Sequence, residues 1–587
     1  MALTSVGLMA QSGTYTGPVS VMVGGIYGPY TNEQTQYELT FHDDATLDVT
    51  LCEYSLAGTV MGDLTLGQYT VSGLTYDATQ DCYYRNYQND GLSMHFKAVS
   101  GGVATMDADY TFEKNACTLQ VTATETGYTI VNSFQPGAMP FPIVATATVT
   151  RQAPANVYGF PGSGTDSDPY QITSKQDFYT LAEKITADNT GLGEVFEVMN
   201  DIDFAGDTLP SIAKAGIETI TKVHWGFAGT LRGKAPVDGN YDGVVDYNDV
   251  NTILSGIKPG NTGKFNSLVS SLAPEGTVQY LYVDGNCDIQ TVGYAAPLVC
   301  ISQGLIETCV NMAPISTTAA FAGGICAYMV LGKGTIRDCA NFGRVSASTY
   351  AAGIVAGTQS GSSITDYQYL VEKCNNVGGI STLNGTGSAG IAGSYSGKVK
   401  DCNNWVAVDD SKGTGSTIQY TAGIVSCASY AVSIENCRNA GIVSGGKCVA
   451  GILGNVMKGD QKDVSVSGCT NEGAVTGTTT NIAGIVANTA RTEGIVTLTS
   501  CVNTGNVYAP EGCETCGHLR GNDLIVIGEG CENTVTPLLP LDPGYQSIRS
   551  IFGAQEVQPG TQYDLQGRPS TTETGLLIRE GRISFVR

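Results

Sequence analysis

The sequence predicts an all-β chain: a strand-rich N-terminal region, then a long parallel β-helix, then a small C-terminal hairpin. Three observations carry this. A Cys-x-Asn phrase recurs at Cys309/Asn311, Cys339/Asn341, Cys374/Asn376, Cys402/Asn404, Cys437/Asn439, Cys469/Asn471, Cys501/Asn503 and Cys531/Asn533, eight times at intervals of 28 to 35 residues. A second phrase, Ala-Gly-(Gly)-Ile, falls between the copies, as at Ala322 to Ile325, Ala352 to Ile354 and Ala422 to Ile424. Between the phrases lie short Val- and Ile-rich pieces broken by Gly, Asn, Ser and Thr, with no long amphipathic period. A fixed period near 30 residues marks a solenoid, and strand and turn signals inside it exclude helical repeats.

Three short strands with turns fill one period, so stacked coils pair each strand in parallel with its equivalent one coil away. Equivalent residues then stack about 4.8 Å apart. The eight Cys are expected as an interior row of free thiols, small and weakly polar. The eight Asn are expected as a row near a turn, bonding one another through side-chain amides and tolerating a left-handed backbone.

Residues 1–11, Met-Ala-Leu-Thr-Ser-Val-Gly-Leu-Met-Ala-Gln, read as the remnant of a secretory signal, apolar with a small residue before Gln11 but without a basic start. Residues 12–152 carry about eight strands separated by turn residues, among them Val19 to Val23, Leu47 to Leu51, Thr65 to Val71 and Ile143 to Val149. An antiparallel barrel or sandwich is expected. Cys82-Tyr-Tyr-Arg-Asn-Tyr87 is expected as a Tyr-rich loop, able to stack on sugar rings or simply to pack. Residues 153–163 form a Pro- and Gly-containing linker. Ser174, with Asp177 three residues on, then suits the N-cap of a short helix over Phe178 to Ile185.

The β-helix is expected over residues 164–535, with an acidic insertion at 234–250. In that insertion Asp238, Asn240, Asp242, Val244 (through its carbonyl), Asp246 and Asp249 occupy positions 1, 3, 5, 7, 9 and 12 of an EF-hand loop. Hard oxygen ligands at that spacing suit Ca2+, while a solvated acidic turn is the other reading. Cys513-Glu-Thr-Cys516-Gly-His518 fits a local disulfide or two loop thiols better than a metal or redox site, because a second ligand pair is missing. Residues 536–587 open with Pro-rich sequence and end in a predicted hairpin, Gly575 to Arg587.

These segments resemble known families. The Ala-Gly-Gly-Ile and Cys-x-Asn-x-Gly-x-Val phrases resemble the GLUG-type repeats of bacterial surface proteins, which implies a right-handed β-helix. Gly13-Thr-Tyr-Thr-Gly17, Tyr54-Ser-Leu-Ala-Gly58, Met61-Gly-Asp-Leu64 and Pro140-Phe-Pro-Ile-Val144 resemble the calycin-like, lipocalin-related domain of exported Bacteroidetes proteins, which implies a barrel. Ser174 to Phe204 resembles the N-terminal cap of many β-helices. The acidic loop, ending in Asp where EF-hands carry Glu, looks like one calcium loop of a dockerin, a module that usually has two. The tail resembles C-terminal sorting segments of the type IX secretion route.

Composition narrows the function. The chain has 54 acidic and 30 basic residues, a net charge of -24, which repels phosphate backbones and anionic lipid and argues against nucleic-acid binding. No apolar run reaches the roughly 18 residues a spanning helix needs. Only 14% of residues are charged, with 75 Gly and 30 Tyr, as in extracellular β-proteins. The expectation is a non-catalytic protein, secreted or on the outer cell surface, that presents its β-helix to glycans or host proteins. A polysaccharide lyase or glycoside hydrolase, and a dockerin-like assembly component, are the alternatives. Outward repeat positions read mostly as Ser, Thr, Gly and Asn, acids such as Asp409/Asp410 and Asp460/Asp463 read as solvated loop residues, and the four His lie far apart.

Overall fold

A computed structural model describes residues 12–42, 46–115, 117–124, 127–137, 141–151, 156–220, 222–239, 244–259, 264–361, 364, 366–384, 386–411, 419–458, 462–492, 495–535, 539–540, 575–579 and 582–586. The signal-like residues 1–11 and most of the tail lie outside these. The chain divides into two compact units, residues 1–155 and 156–587.

The first unit contains a closed antiparallel barrel. Around it run Gly13–Val23, Ile143–Arg151, Gly127–Phe134, Thr118–Ala123, Cys82–Asn86, Tyr69–Asp77, Thr46–Leu51 and Tyr27–Phe41, the last pairing back to the first. A second sheet of four strands covers Tyr54–Thr59, Gly62–Leu66, Ser93–Ser100 and Val103–Thr111. Strict alternation drives this, as in Thr46–Leu51, where Leu47, Val49 and Leu51 face inward. The expected strand Thr65 to Val71 is two strands, broken where Gly67 lies so close to the His95 carbonyl that a side chain would collide with it. Tyr15, Tyr37, Tyr69, Tyr87, Phe96, Phe112 and Phe134 fill the core. Among them the Tyr87 hydroxyl donates to Asn132 Oδ1 (2.8 Å), and Asn132 Nδ2 donates to the Tyr69 hydroxyl (2.7 Å), so the buried polar atoms are paired.

The second unit is a parallel β-solenoid. Its helix is Lys175–Lys184; Asp177 accepts from the Ser174 amide (2.9 Å) at the N-cap, and Phe178 packs on Phe204 with ring centroids 5.3 Å apart. The region read as a linker ends by residue 155, because Tyr158 and Phe160 are buried in the cap, where Tyr158 meets Phe196 edge-on. The coils feed sheets of 18, 11, 9 and 9 strands, the first taking two successive strands from most coils. Each coil therefore carries more and shorter strands than the three expected, since Gly and Asn bend the chain every few residues.

The two repeated phrases meet inside the coil. Asn311, Asn341, Asn376, Asn404, Asn439, Asn471 and Asn503 are fully buried. Each donates through Nδ2 to Oδ1 of the next, from Asn311 to Asn341 (2.8 Å) through Asn439 to Asn471 (2.8 Å), the last reaching Asn533 (3.0 Å). The other Nδ2 hydrogen binds the carbonyl two residues on, as in Asn439 to Gly441 (2.8 Å). From Asn341 to Asn503 each amide lies against the glycine of an Ala-Gly-Ile phrase: a methyl group on Gly423 would sit 2.2 Å from the Asn439 side-chain carbon and 2.3 Å from the Gly451 carbonyl oxygen.

The expected left-handed backbone at these asparagines is corrected by the structure. Asn376 shows why. It lies in the strand Asn375–Asn376, in parallel register with Asn341 on one side and Asn404 on the other, and that pairing requires an extended backbone. Its Nδ2 donates to Asn404 Oδ1 (2.8 Å) and to the Gly378 carbonyl (3.0 Å), and its Oδ1 accepts from Asn341 Nδ2 (2.9 Å), so the side chain points into the coil. Asn311, Asn341, Asn404, Asn439, Asn471, Asn503 and Asn533 likewise end two-residue strands. The left-handed turn belongs instead to the residue before each Cys: Thr308, Asp338, Lys373, Asp401, Asn436 and Ser500 all have φ between 50 and 53°.

Cys309, Cys339, Cys374, Cys402, Cys437, Cys469 and Cys501 form a buried row of free thiols, while Cys531 is half-buried at the end. Burial pushes the thiols of Cys309, Cys339 and Cys469 well up, so they stay neutral. At each corner the thiol donates to the carbonyl two residues back, as Cys339 to Arg337 (3.2 Å), and the corner amide donates to the next coil, as Asp338 to Glu372 (3.1 Å). A small apolar donor is what this corner needs.

Asn439→Ala is expected to lower stability by about 3 kcal/mol, because it strands the Asn404 amide and the Gly441 carbonyl. Cys402→Ala, which loses only a small buried group, should cost about 1–2 kcal/mol. Denaturant unfolding followed by circular dichroism checks both; a larger loss for the cysteine would invert the ranking.

Candidate functional site

Because the corners repeat at equal spacing, the residues before each Cys stack in one outward column, and the residues before those stack in a second. The second column reads Gln279, Glu307, Arg337, Glu372, Lys400, Glu435 in register. Its charges alternate: Arg337 Nε lies 2.7 Å from Glu307 Oε1, and its Nη1 lies 3.7 Å from Glu372. The first column reads Thr308, Asp338, Lys373, Asp401, Asn436. Within it Thr308 Oγ1 donates to Asp338 Oδ2 (3.2 Å) and Asn436 Nδ2 donates to Asp401 Oδ1 (3.2 Å).

The acidic insertion folds beside these columns and makes them one side of a groove of about 800 Å³. Ala235, Pro236, Val244, Val245, Asp246 and Tyr247 line it from the insertion. Tyr280, Glu307, Thr308, Arg337, Asp338, Lys373, Asn375, Asp401 and Asn403 line it from the coils. Asp338 is raised to about 6, chiefly by burial, opposed by the Thr308 hydrogen bond and reinforced by the charges of Asp246 and Glu307. The groove is thus an open cleft with amides, carboxylates, two cations and two tyrosines.

Sequence reasoning missed this gathering of acids. The signal was present: aligning the repeats on Cys places Asp338 and Asp401 in one column, on either side of Lys373, and Glu307 and Glu372 in the next, on either side of Arg337. What it could not supply was the insertion that roofs them.

The calcium-loop residues are partly described. Asn240 and Asp242 lie outside the described residues. Asp249 is buried and accepts from the Gly239 amide (2.9 Å) and the Asp246 amide (3.1 Å), while Asp246 accepts from the Asn248 amide (2.8 Å). These bonds tie positions 2 and 9 of the loop to position 12. Asp238 and Val244 flank the undescribed residues. Among the described residues no three His, Cys, Asp or Glu side chains gather as a metal group.

Two expectations change. Cys82 to Tyr87 is not a loop: Cys82–Asn86 is a barrel strand and Tyr87 is fully buried, because the segment alternates inward and outward. Asp410 is not solvated. It is buried inside the coils and accepts from the Thr382 amide (2.8 Å), the Thr382 hydroxyl (2.9 Å) and the Ser388 hydroxyl (2.8 Å). Asp409 remains half-buried in a strand and Asp463 is exposed, whereas Asp460 lies outside the described residues. Of the readings left open for Cys513 and Cys516, the structure holds the disulfide. A residue the sequence reading passed over, Arg491, is also buried; its Nε donates to the Met457 carbonyl (2.9 Å) and Nη2 to the Tyr430 carbonyl (2.8 Å), tying three coils together.

Burial raises Asp410 to about 6, against three hydrogen bonds from Thr382 and Ser388 that lower it. A carboxyl held above its unfolded value binds protons more readily when folded, so its charged form costs stability above pH 6 and that cost fades as pH falls toward 4. Wild-type melting temperature is expected to rise from pH 7 to pH 5, and Asp410→Asn to flatten that rise. An equal slope in the variant would assign the effect elsewhere.

No helix among the described residues is long and apolar enough to cross a membrane. No curated protein and no solved structure matches the chain. Residues 12–148 match the calycin-like β-barrel domain family, in agreement with the closed antiparallel barrel found there.

Proposed function

We propose that this is a non-catalytic, exported carbohydrate-binding protein of the bacterial surface, which holds a glycan along the groove between the acidic insertion and the coils. The observation that carries the reading is the groove itself. It brings the side-chain amides of Asn375 and Asn403, four carboxylates, Arg337, Lys373 and the rings of Tyr247 and Tyr280 to one open cleft. Sugar hydroxyls both donate and accept hydrogen bonds, and a mixed row of donors and acceptors on a rigid solenoid suits them. Host glycoprotein is the other occupant of this class. Export is supported by the signal-like start, the GLUG-type repeats and the sorting-like tail, whose resemblances point to Bacteroidetes. The reading also gives Ca2+ a place: bound by Asp238, Asn240, Asp242, Val244, Asp246 and Asp249, it would brace the insertion that forms the groove wall.

Polysaccharide cleavage is the second reading, and one observation favours it. Asp338, raised to about 6 beside Glu307 and Asp246, has the character of a proton donor.

Incubation with a polysaccharide panel separates the two: the first reading expects retention without new reducing or unsaturated ends, and product that disappears in Asp338→Asn would establish the second. Calorimetric titration is expected to give heat with Ca2+ at or below millimolar concentration, lost in Asp242→Ala. Unchanged heat in that variant would remove the loop as the site.

A further inference from the structure

Beside the groove the coils carry one exposed aromatic ring held rigidly from two directions. Trp405 is 43% exposed. Its Nε1 donates to Asn375 Oδ1 (3.1 Å), which also accepts from Asn403 Nδ2 (3.2 Å), so the ring is tied to two amides that line the groove. The Arg438 guanidinium lies over the ring, 4.4 Å from its centroid. Arg438 is in turn gripped by both oxygens of Glu472, at 2.7 and 2.6 Å. The bidentate pair fixes the guanidinium, and the guanidinium fixes the indole. Large apolar rings are normally buried. One that is braced yet exposed is pre-organised for a ligand.

We infer that Trp405 is a stacking subsite for an uncharged pyranose, which places the apolar C–H face of the sugar on the indole while its hydroxyls reach the amides of Asn375 and Asn403. This rests on the glycan-binding reading of the groove and specifies its ligand class. Charge selects a neutral sugar: Asp246, Glu307, Asp338 and Asp401 outnumber Arg337 and Lys373 in the groove, on a chain of net charge -24. A uronate polymer meets repulsion there.

The test uses the full chain in affinity gels containing xyloglucan, galactomannan or arabinogalactan as neutral polymers, and polygalacturonate or hyaluronate as acidic ones. A neutral polymer is expected to retard the wild type, with affinity falling about tenfold in Trp405→Ala and much less in Trp405→Phe. Because the chain has only two tryptophans, Trp225→Phe leaves Trp405 as sole reporter, and its emission should shift on addition of the retarding polymer. Retardation kept within twofold in Trp405→Ala, with melting temperature unchanged, overturns the subsite while leaving the groove reading standing. Retardation by acidic polymers alone overturns the neutral-sugar assignment. Retardation by none of the polymers overturns the glycan reading itself.

Discussion

The solenoid depends on one contact, the carboxamide of the repeated asparagines from Asn341 to Asn503 pressed against the backbone of a glycine from the intervening phrase. The amide ladder supplies buried donors and acceptors that satisfy one another from coil to coil, and it does so only where no side chain intervenes. Asn and Gly therefore recur together. Removing either leaves polar atoms unpaired in a dry interior or forces the coils apart, both of which cost more than losing a thiol.

That contact also sets the position of the cysteine corner. With the Asn held in a strand, the chain must turn sharply just before it, and the turn falls on the residue preceding Cys. A left-handed backbone at Thr308, Asp338, Lys373 and Asp401 carries a local penalty of about 1 kcal/mol each. The inter-coil amide bonds and the thiol offset it. The outcome is functional, since the same corner turns these polar side chains outward in a column, and the column forms the floor of the groove.

Two buried charges show where the regular pattern is interrupted. Asp410 is held by hydroxyls and an amide of Thr382 and Ser388, and Arg491 by the backbone carbonyls of Tyr430 and Met457. Each joins groups from neighbouring coils.

The periodicity of Cys-x-Asn and Ala-Gly-Ile, read alone, determined the parallel coils, the interior row of thiols and the stacked row of amides, because residues at equivalent positions in a stacked repeat must align. Alternation likewise made most of the N-terminal strands legible, and Ser174 with Asp177 announced the cap helix. Only the tertiary structure decided that Asn376 and its equivalents are extended while the residue before each Cys takes the turn, that the acidic insertion lies beside Glu307 and Asp338, that Asp410 is buried, and that Arg438 braces Trp405. The turn position follows from inter-coil pairing, the burial of Asp410 and the Arg438–Trp405 contact from side-chain packing between neighbouring coils, and the place of the insertion from where an irregular segment closes in space, for which the local sequence holds no period.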